Sequence, residues 1–203
     1  MSFTGQVLYG LAWLSFGLAH SWLAGARGKA WMESWAGRGA RLAYNLIALL
    51  HLGLVLAAGQ ALGPEAIPFD SPPWLGWCQG FALVAGLLLG LFALRGYDLG
   101  LFAGTKQLRE GSAKAGIEPL VTTGLHRYVR HPLYSAGFLV LFGIARDPLS
   151  LATALWAALY LLIGTWFEER KLLRDYGTAY ADYRRRVPAF VPWRGRAWRD
   201  GVG

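Results

Sequence analysis

Residues 149–167 read LSLATALWAALYLLIGTWF, and Glu168-Glu169 follow at once. The run carries no charge over about 19 residues, which reach about 28 Å as a helix and match the hydrocarbon thickness of a bilayer. Asp147-Pro148 precedes it as a turn, and a shorter apolar stretch, Leu133–Ala145, lies before that turn. Together they predict a helical hairpin. At its mouth stands Gly124-Leu125-His126-Arg127-Tyr128-Val129-Arg130-His131-Pro132-Leu133-Tyr134. Its closing end carries the two carboxylates. Charged groups at a membrane boundary are costly unless they bind something or reach water.

Three more apolar runs precede the hairpin: Phe3–Ala24, Leu42–Leu62 and Trp74–Leu94. Each is long enough to cross. Leu133–Ala145 is short, and crosses only with help or stops before the far side. The expected fold is an all-α integral membrane protein of about five transmembrane helices with a C-terminal amphipathic tail. It forms one membrane domain: three N-terminal spans over 1–95, then loop, hairpin and tail over 96–203. The first run continues through Trp22 into a basic loop and carries no cleavage site, so it reads as a retained span.

Composition agrees. The chain is 55% hydrophobic and 16% charged, with a mean hydropathy of +0.33. Most of its ten tryptophans stand near the ends of apolar runs, where interfacial belts form. The net charge of +8 is no nucleic-acid footprint, because the basic residues fall in loops and at the C-terminus. Cys78 is the single cysteine, which excludes an internal disulfide and cysteine-rich metal sites. It is expected as a buried packing thiol. Gly10, Gly17, Gly86 and Gly90 read as points of close helix contact.

Loop charge orients the chain. Arg27, Lys29, Arg38 and Arg41 crowd the first loop, and Arg184, Arg185 and Arg186 the tail. The second loop carries Glu65 and Asp70 among four prolines. The positive-inside rule then puts the N-terminus outside and the C-terminus in the cytoplasm, in a bacterial inner membrane. The Gly- and Lys-rich loop 104–118 is expected to be mobile.

Pro132 suits the first position of a helix, with His131 as its N-cap. A helix start beside Arg127 and Arg130 can dock a carboxylate or phosphate. The same residues can equally anchor the chain at anionic headgroups. Glu168 and Glu169 either pair with Arg170, Lys171 or Arg174, or hold a ribose or a cation. Hairpin geometry makes the basic and acidic groups neighbours, so a zwitterionic ligand fits between them. Tyr176, Tyr180, Tyr183 and Val187 share one face of a tail helix that lies on the membrane or closes as a lid. His20, near the cytoplasmic end of the first span, and His51, deeper in the second, are either core hydrogen-bonding groups or acceptor-handling groups. No group for holding a metal is read.

These residues carry a resemblance. Gly124 through Tyr134, then Glu168-Glu169, then Leu173-x-x-Tyr-Gly-x-x-Tyr-x-x-Tyr and Val187-Pro188-x-x-x-Pro192, closely resemble the C-terminal half of the isoprenylcysteine carboxyl methyltransferase and phospholipid methyltransferase superfamily. His20-Ser21-x-x-Ala24 and Arg41-Leu42-x-Tyr44-Asn45 resemble the NnrU-type and methanethiol S-methyltransferase-like members. The resemblance implies a membrane methyltransferase using S-adenosylmethionine. Cofactor contacts would fall on His126, Tyr128, Arg130, His131, Pro132, Leu133 and Tyr134. Glu168 or Glu169, with Tyr180 and Tyr183, would hold the ribose and adenine. The position before Arg127 is often Tyr in that superfamily and is His126 here. His20, Arg130 and Glu168 are the expected catalytic groups, acting on a thiol, a prenylcysteine carboxylate or a lipid.

Two other readings compete. A sterol-type membrane reductase using NADPH shares the C-terminal pattern, but three preceding spans leave little room for a sterol. A haem protein would use His20 and His51, yet their depths differ by roughly 8 Å at 1.5 Å per residue, which suits one haem poorly.

Overall fold

The computed structural model describes residues 2–63, 67–110 and 120–194, and among these every regular element is helical. The long helices are α1 (Phe3–Ala24), α3 (Ala40–Leu62), α4 (Pro73–Leu94) and α8 (Pro148–Tyr176). Shorter ones are α2 (Ala26–Ala36), α5 (Leu99–Ala103), α6 (Thr105–Glu110), α7 (Pro132–Gly143) and α9 (Thr178–Arg186). Among the described residues, four segments are long and apolar enough to cross a membrane: α1, Ala26–Leu62 (which contains α3), α4 and α8. α7 has 12 residues. It reaches only about 18 Å against the roughly 30 Å of a hydrocarbon core.

The chain divides into two compact units. The first contains α1, α2, α3, α5, α6 and the opening turns of α8. Its centre is Tyr9, fully buried, whose hydroxyl lies 2.8 Å from Thr153 Oγ1. Gly10 sits so close to Trp156 that a Cβ there would come within 2.7 Å of its ring. This agrees with the close contact expected of Gly10. Ser2 caps α1 by accepting from the Gly5 N–H at 3.1 Å.

The expected loop 25–41 is largely helix. α2 buries Gly28 and Met32, four residues apart, and leaves Arg27, Lys29, Trp31 and Trp35 exposed. Asn45 donates to the carbonyls of Phe102 and Ala103, both at 3.0 Å, and so satisfies carbonyls at the end of α5. The part of loop 104–118 within the description is α6, and residues 111–119 lie outside it.

Asp147 and Ser150 fix the start of α8. Asp147 accepts from the N–H groups of Leu149 at 2.9 Å and Ser150 at 3.0 Å, and Ser150 Oγ accepts from the Arg146 and Asp147 N–H groups. With Pro148 as the first helical residue, this is a strong helix start.

The second unit contains α4, α7, the rest of α8 and α9. Two glycines set the approach of α4 and α7. A Cβ on Gly86 would lie 2.9 Å from the Ala136 carbonyl, and one on Gly143 would lie 2.6 Å from Leu83 N. At Gly90 a Cβ would meet Ala136 Cβ at an ordinary 3.6 Å, so Gly86 and not Gly90 is the tight point. Cys78 is exposed, contrary to expectation. Its neighbours Trp74, Trp77 and Phe81 are exposed as well. A helix that is apolar all round does not announce which face is covered.

The tail is not one helix. α8 runs unbroken past Glu168-Glu169 to Tyr176, and Gly177, with φ +56°, separates it from α9. That left-handed backbone favours glycine. Tyr180, Tyr183 and Val187 then form a buried cluster with Leu120, Leu172, Leu173 and Tyr176. The expected common face exists, and it is packed against the protein's own chain.

Candidate functional site

Three short segments of the second unit converge: the turn before α7, the polar end of α8, and α9 with the residues after it. The apolar part of α8 ends at Phe167, and one turn brings Glu168 and Glu169 beside the start of α7. His131 is the N-cap residue of α7 with Pro132 first in the helix, as expected. Its imidazole makes no cap hydrogen bond and turns to the carboxylates instead.

Glu169 is the hub. Its Oε1 accepts from Arg130 Nε at 2.8 Å and from the Arg130 terminal nitrogen, and it lies 3.2 Å from His131 Nε2. Its Oε2 lies 3.2 Å from Arg184 Nε. The Arg130 and Glu169 side chains are only 9% and 10% exposed. Two desolvated charges hold together only when their remaining hydrogen bonds are met. Arg130 meets that condition by also donating to the carbonyls of Arg184 and Val187. The alternative pairing within α8 does not occur for Glu169: Lys171 bonds Asp175, and Arg170 covers the Trp166 ring.

Glu168 is half-buried, with a side chain 43% exposed. It accepts from the Tyr134 hydroxyl at 2.9 Å and lies 3.7 Å from His131 Nδ1. The His131 and Tyr134 rings stack in parallel with centroids 5.5 Å apart. The two carboxylates thus hold one imidazole from two sides, which orients its ring.

The residues after α9 are stitched to this cluster through the backbone. The N–H of Arg130 donates to the Pro188 carbonyl at 2.9 Å, and that of His131 to the Ala189 carbonyl at 3.0 Å. Ser135 Oγ donates to the Phe190 carbonyl at 2.7 Å. Tyr183 donates to the His126 carbonyl at 2.6 Å, and His126 Nδ1 lies 3.1 Å from the Arg130 carbonyl. Burial pulls the His126 imidazole below its ordinary range, against the bond from Nδ1 to the Arg130 carbonyl, which favours the protonated ring.

Tyr180 is 1% exposed, with the Glu169 carboxylate and the Arg130 guanidinium beside its hydroxyl, and the phenol proton finds no acceptor. Burial, with the Glu169 charge, pushes the phenol up to about 12. It is a protonated donor at neutral pH. A cavity of about 380 Å³ opens on the same segment, lined by Arg130, Arg184, Val187, Phe190, Trp193 and Arg194 among others. That lies in the range of small-molecule sites.

The structure therefore brings together Arg130, His131, Tyr134, Glu168, Glu169 and Tyr180. His126 and Tyr183 stand behind them as supports. Pro132 is buried, Leu133 half-buried and Tyr128 exposed. His20 belongs to the first unit, where the Tyr44 hydroxyl lies 2.7 Å from its Nε2. His51 lies 3.1 Å from Ser15 Oγ, and the Phe16 ring is within 5.6 Å of both histidine rings. Sequence reading missed Arg184, Ser135 and the carbonyls of Val187, Pro188 and Ala189. The Val187-Pro188 motif was the available signal, because a segment with proline supplies carbonyls without competing N–H groups.

No family model matches the chain, and no solved structure matches it. Named relatives do. It is 31% identical over 191 residues to a methanethiol S-methyltransferase of Pseudomonas sp. strain GM41(2012), covering 88% of this chain and 70% of that protein. It is 40% identical over 122 residues to methanethiol S-methyltransferase 2 of Bradyrhizobium diazoefficiens, covering 59% of this chain and 43% of that protein. A protein-S-isoprenylcysteine O-methyltransferase of Schizosaccharomyces pombe is 35% identical over 79 residues, covering 36% of this chain and 33% of its own. The likeness to the Pseudomonas protein covers 88% of the present chain, so it takes in parts of both units. This chain is a methyltransferase and belongs to the isoprenylcysteine methyltransferase-like superfamily, with the methanethiol S-methyltransferases among its relatives.

Proposed function

We propose that the chain is an integral membrane methyltransferase that takes its methyl group from S-adenosylmethionine and passes it to a small lipophilic acceptor, a thiol in the first instance. The observation that carries the cofactor reading is the buried Tyr180 hydroxyl, whose proton has no acceptor, beside the Arg130–Glu169 pair. A buried polar group costs free energy unless something satisfies it, and a ribose or amino acid group of the cofactor can do so. The cavity supports the fit: Arg184 and Arg194 suit a carboxylate, and Phe190 and Trp193 suit an adenine. When bound, the sulfonium supplies an electrophilic methyl carbon.

The chain's own residues divide the remaining work. Glu169 organises Arg130, His131 and Arg184. Glu168, the more exposed carboxylate, faces the ligand with Tyr134 and His131. Arg130, named on sequence as a catalytic group, acts by holding the site in shape. A site shielded from water favours this reaction, because a cationic donor and an anionic acceptor neutralise each other.

In the membrane, we place α7 as a short fifth crossing with the N-terminus outside and the site and tail in the cytoplasm of a bacterial cell. The basic residues of α2 and α9 support that orientation. Calorimetry with S-adenosylhomocysteine on detergent-solubilised protein tests the whole reading. Binding at micromolar concentration is expected, and none at millimolar ligand overturns it.

A further inference from the structure

We infer that α2 is an interfacial docking face for anionic phospholipid, on which Trp31 and Trp35 enter the headgroup layer while Arg27 and Arg38 hold phosphate groups. α2 joins α1 to α3, and both of those helices are apolar over the width of a membrane. Gly25, in extended backbone, ends α1, and Gly37, with φ +51°, ends α2. The turn between α1 and α2 is tight: a Cβ on Gly28 would lie 2.3 Å from the Trp22 carbonyl and 2.5 Å from Leu23 Cα. α2 therefore folds back against the end of α1 and does not prolong it. Its 11 residues reach about 16 Å, too short to cross alone. It lies where two spans leave the bilayer.

The helix divides its surface. Gly28 and Met32 are buried along one stripe. Arg27, Trp31 and Trp35 recur every four residues along an exposed flank, and exposed Arg38 follows just past the helix end. Trp31 stands between two other indoles, with ring centroids 5.8 Å from Trp22 and 5.7 Å from Trp35. All three rings are about half exposed. Leu18, one turn before Trp22 on α1, is exposed as well, so the cluster continues a lipid-facing side of the span. An indole suits the headgroup layer, where an apolar ring and a polar N–H are both satisfied. The charge is matched to one kind of headgroup. Residues 25–41 hold Arg27, Lys29, Arg38 and Arg41 against Glu33 alone. A guanidinium can bind a phosphate through two parallel hydrogen bonds while its stem lies along apolar surface. A zwitterionic lipid brings its own ammonium to its phosphate and gains less from these arginines. An amphipathic helix with tryptophans and cations on its outer face therefore selects an anionic leaflet.

Fluorescence quenching in reconstituted vesicles tests this without reference to activity. The probes are phosphatidylglycerol and phosphatidylcholine, each brominated on the acyl chain close to the headgroup. The signal of Trp31 and Trp35 is the difference between the full-length wild type and the Trp31→Phe/Trp35→Phe variant, whose fold is kept because both rings are exposed. These two rings should be quenched by both lipids, with phosphatidylglycerol preferred about five- to 25-fold, or about fivefold for each arginine at the surface. The preference should fall toward equality in about 1 M salt. Arg27→Gln/Arg38→Gln should cut it to under about twofold and leave quenching by phosphatidylcholine unchanged. Equal affinity for the two lipids in the wild type overturns the inference, whether or not the arginine variant folds. Rings quenched by neither lipid are covered by protein, a second copy or another partner, and that result overturns it as well. A preference kept in full by the double variant puts the anion elsewhere and removes the two arginines from the site.

Discussion

Arg130 and Glu169 lie 39 residues apart in sequence and form an ion pair that is about nine-tenths buried on both sides. Each is also bonded elsewhere, Arg130 to the carbonyls of Arg184 and Val187 and Glu169 to His131 and Arg184. Removing one partner of a buried pair leaves the other charge uncompensated. Glu169→Gln should therefore lower stability by about 3–5 kcal/mol. A thermal melt in detergent would show this as a large fall in Tm, with binding lost alongside it.

Glu168→Gln should behave differently. Its side chain is 43% exposed and its described contacts are the Tyr134 hydroxyl and the edge of His131. The melt should shift little, while S-adenosylhomocysteine affinity falls about tenfold, as for loss of a charged hydrogen bond. Affinity unchanged by this substitution would remove Glu168 from the binding surface.

Tyr180→Phe offers the opposite sign on stability. The hydroxyl's proton has no acceptor, so deleting it relieves a desolvated donor and sacrifices at most its contact with Arg130. The variant should melt at the same temperature as the wild type or higher, yet bind the cofactor product more weakly. Paired melting curves and calorimetry check both halves.

The His126 imidazole gives a pH dependence. Burial lowers its proton affinity in the folded state below the ordinary value of 6.5. Below that value the unfolded chain then binds more protons than the folded chain. Stability is therefore lost as the pH falls through and below about 6.5, and regained above it. The Tm should drop between pH 7.5 and 5.5, and His126→Asn should drop less.

Gly143→Ala tests the α4–α7 approach. Its Cβ would lie 2.6 Å from a backbone nitrogen of Leu83, which cannot swing aside as a side chain can. A loss of about 1–3 kcal/mol is expected from overpacking. Gly90→Ala, with 3.6 Å of room, should be neutral and serves as the control.

What the sequence made legible follows from how each signal arises. The long apolar runs were readable because nothing but burial or lipid tolerates them. The turn at Asp147-Pro148 and the helix start at Pro132 were readable because they depend on one or two local residues. The meeting of Arg130 and His131 with the Glu pair followed from hairpin topology alone. The partner of Glu169 was not readable, since Arg130, Arg170, Lys171 and Arg174 offer the same charge and only packing chooses among them. Cys78 was misplaced for a related reason: α4 is apolar on every face, so periodicity could not say which side is covered. The tyrosine face of the tail was found, but its lining by Leu172, Leu173 and Val187 makes it interior. Gly177 went unread as a breaker, and its positive φ explains why α8 and α9 are two helices.

The bonds from Arg130 and His131 to the carbonyls of Pro188 and Ala189 have a bearing on the order in which the protein is made. Residues 130 and 131 leave the ribosome long before residues 188 and 189, and all four are needed for the same four-residue junction. The converged cluster therefore has no complete wall until residues 188 and 189 have been synthesised. A nascent or prematurely terminated chain can place its hydrophobic helices and still lack a competent centre. A fusion joined directly after Ala189 would bear on this junction itself and not only on the tail.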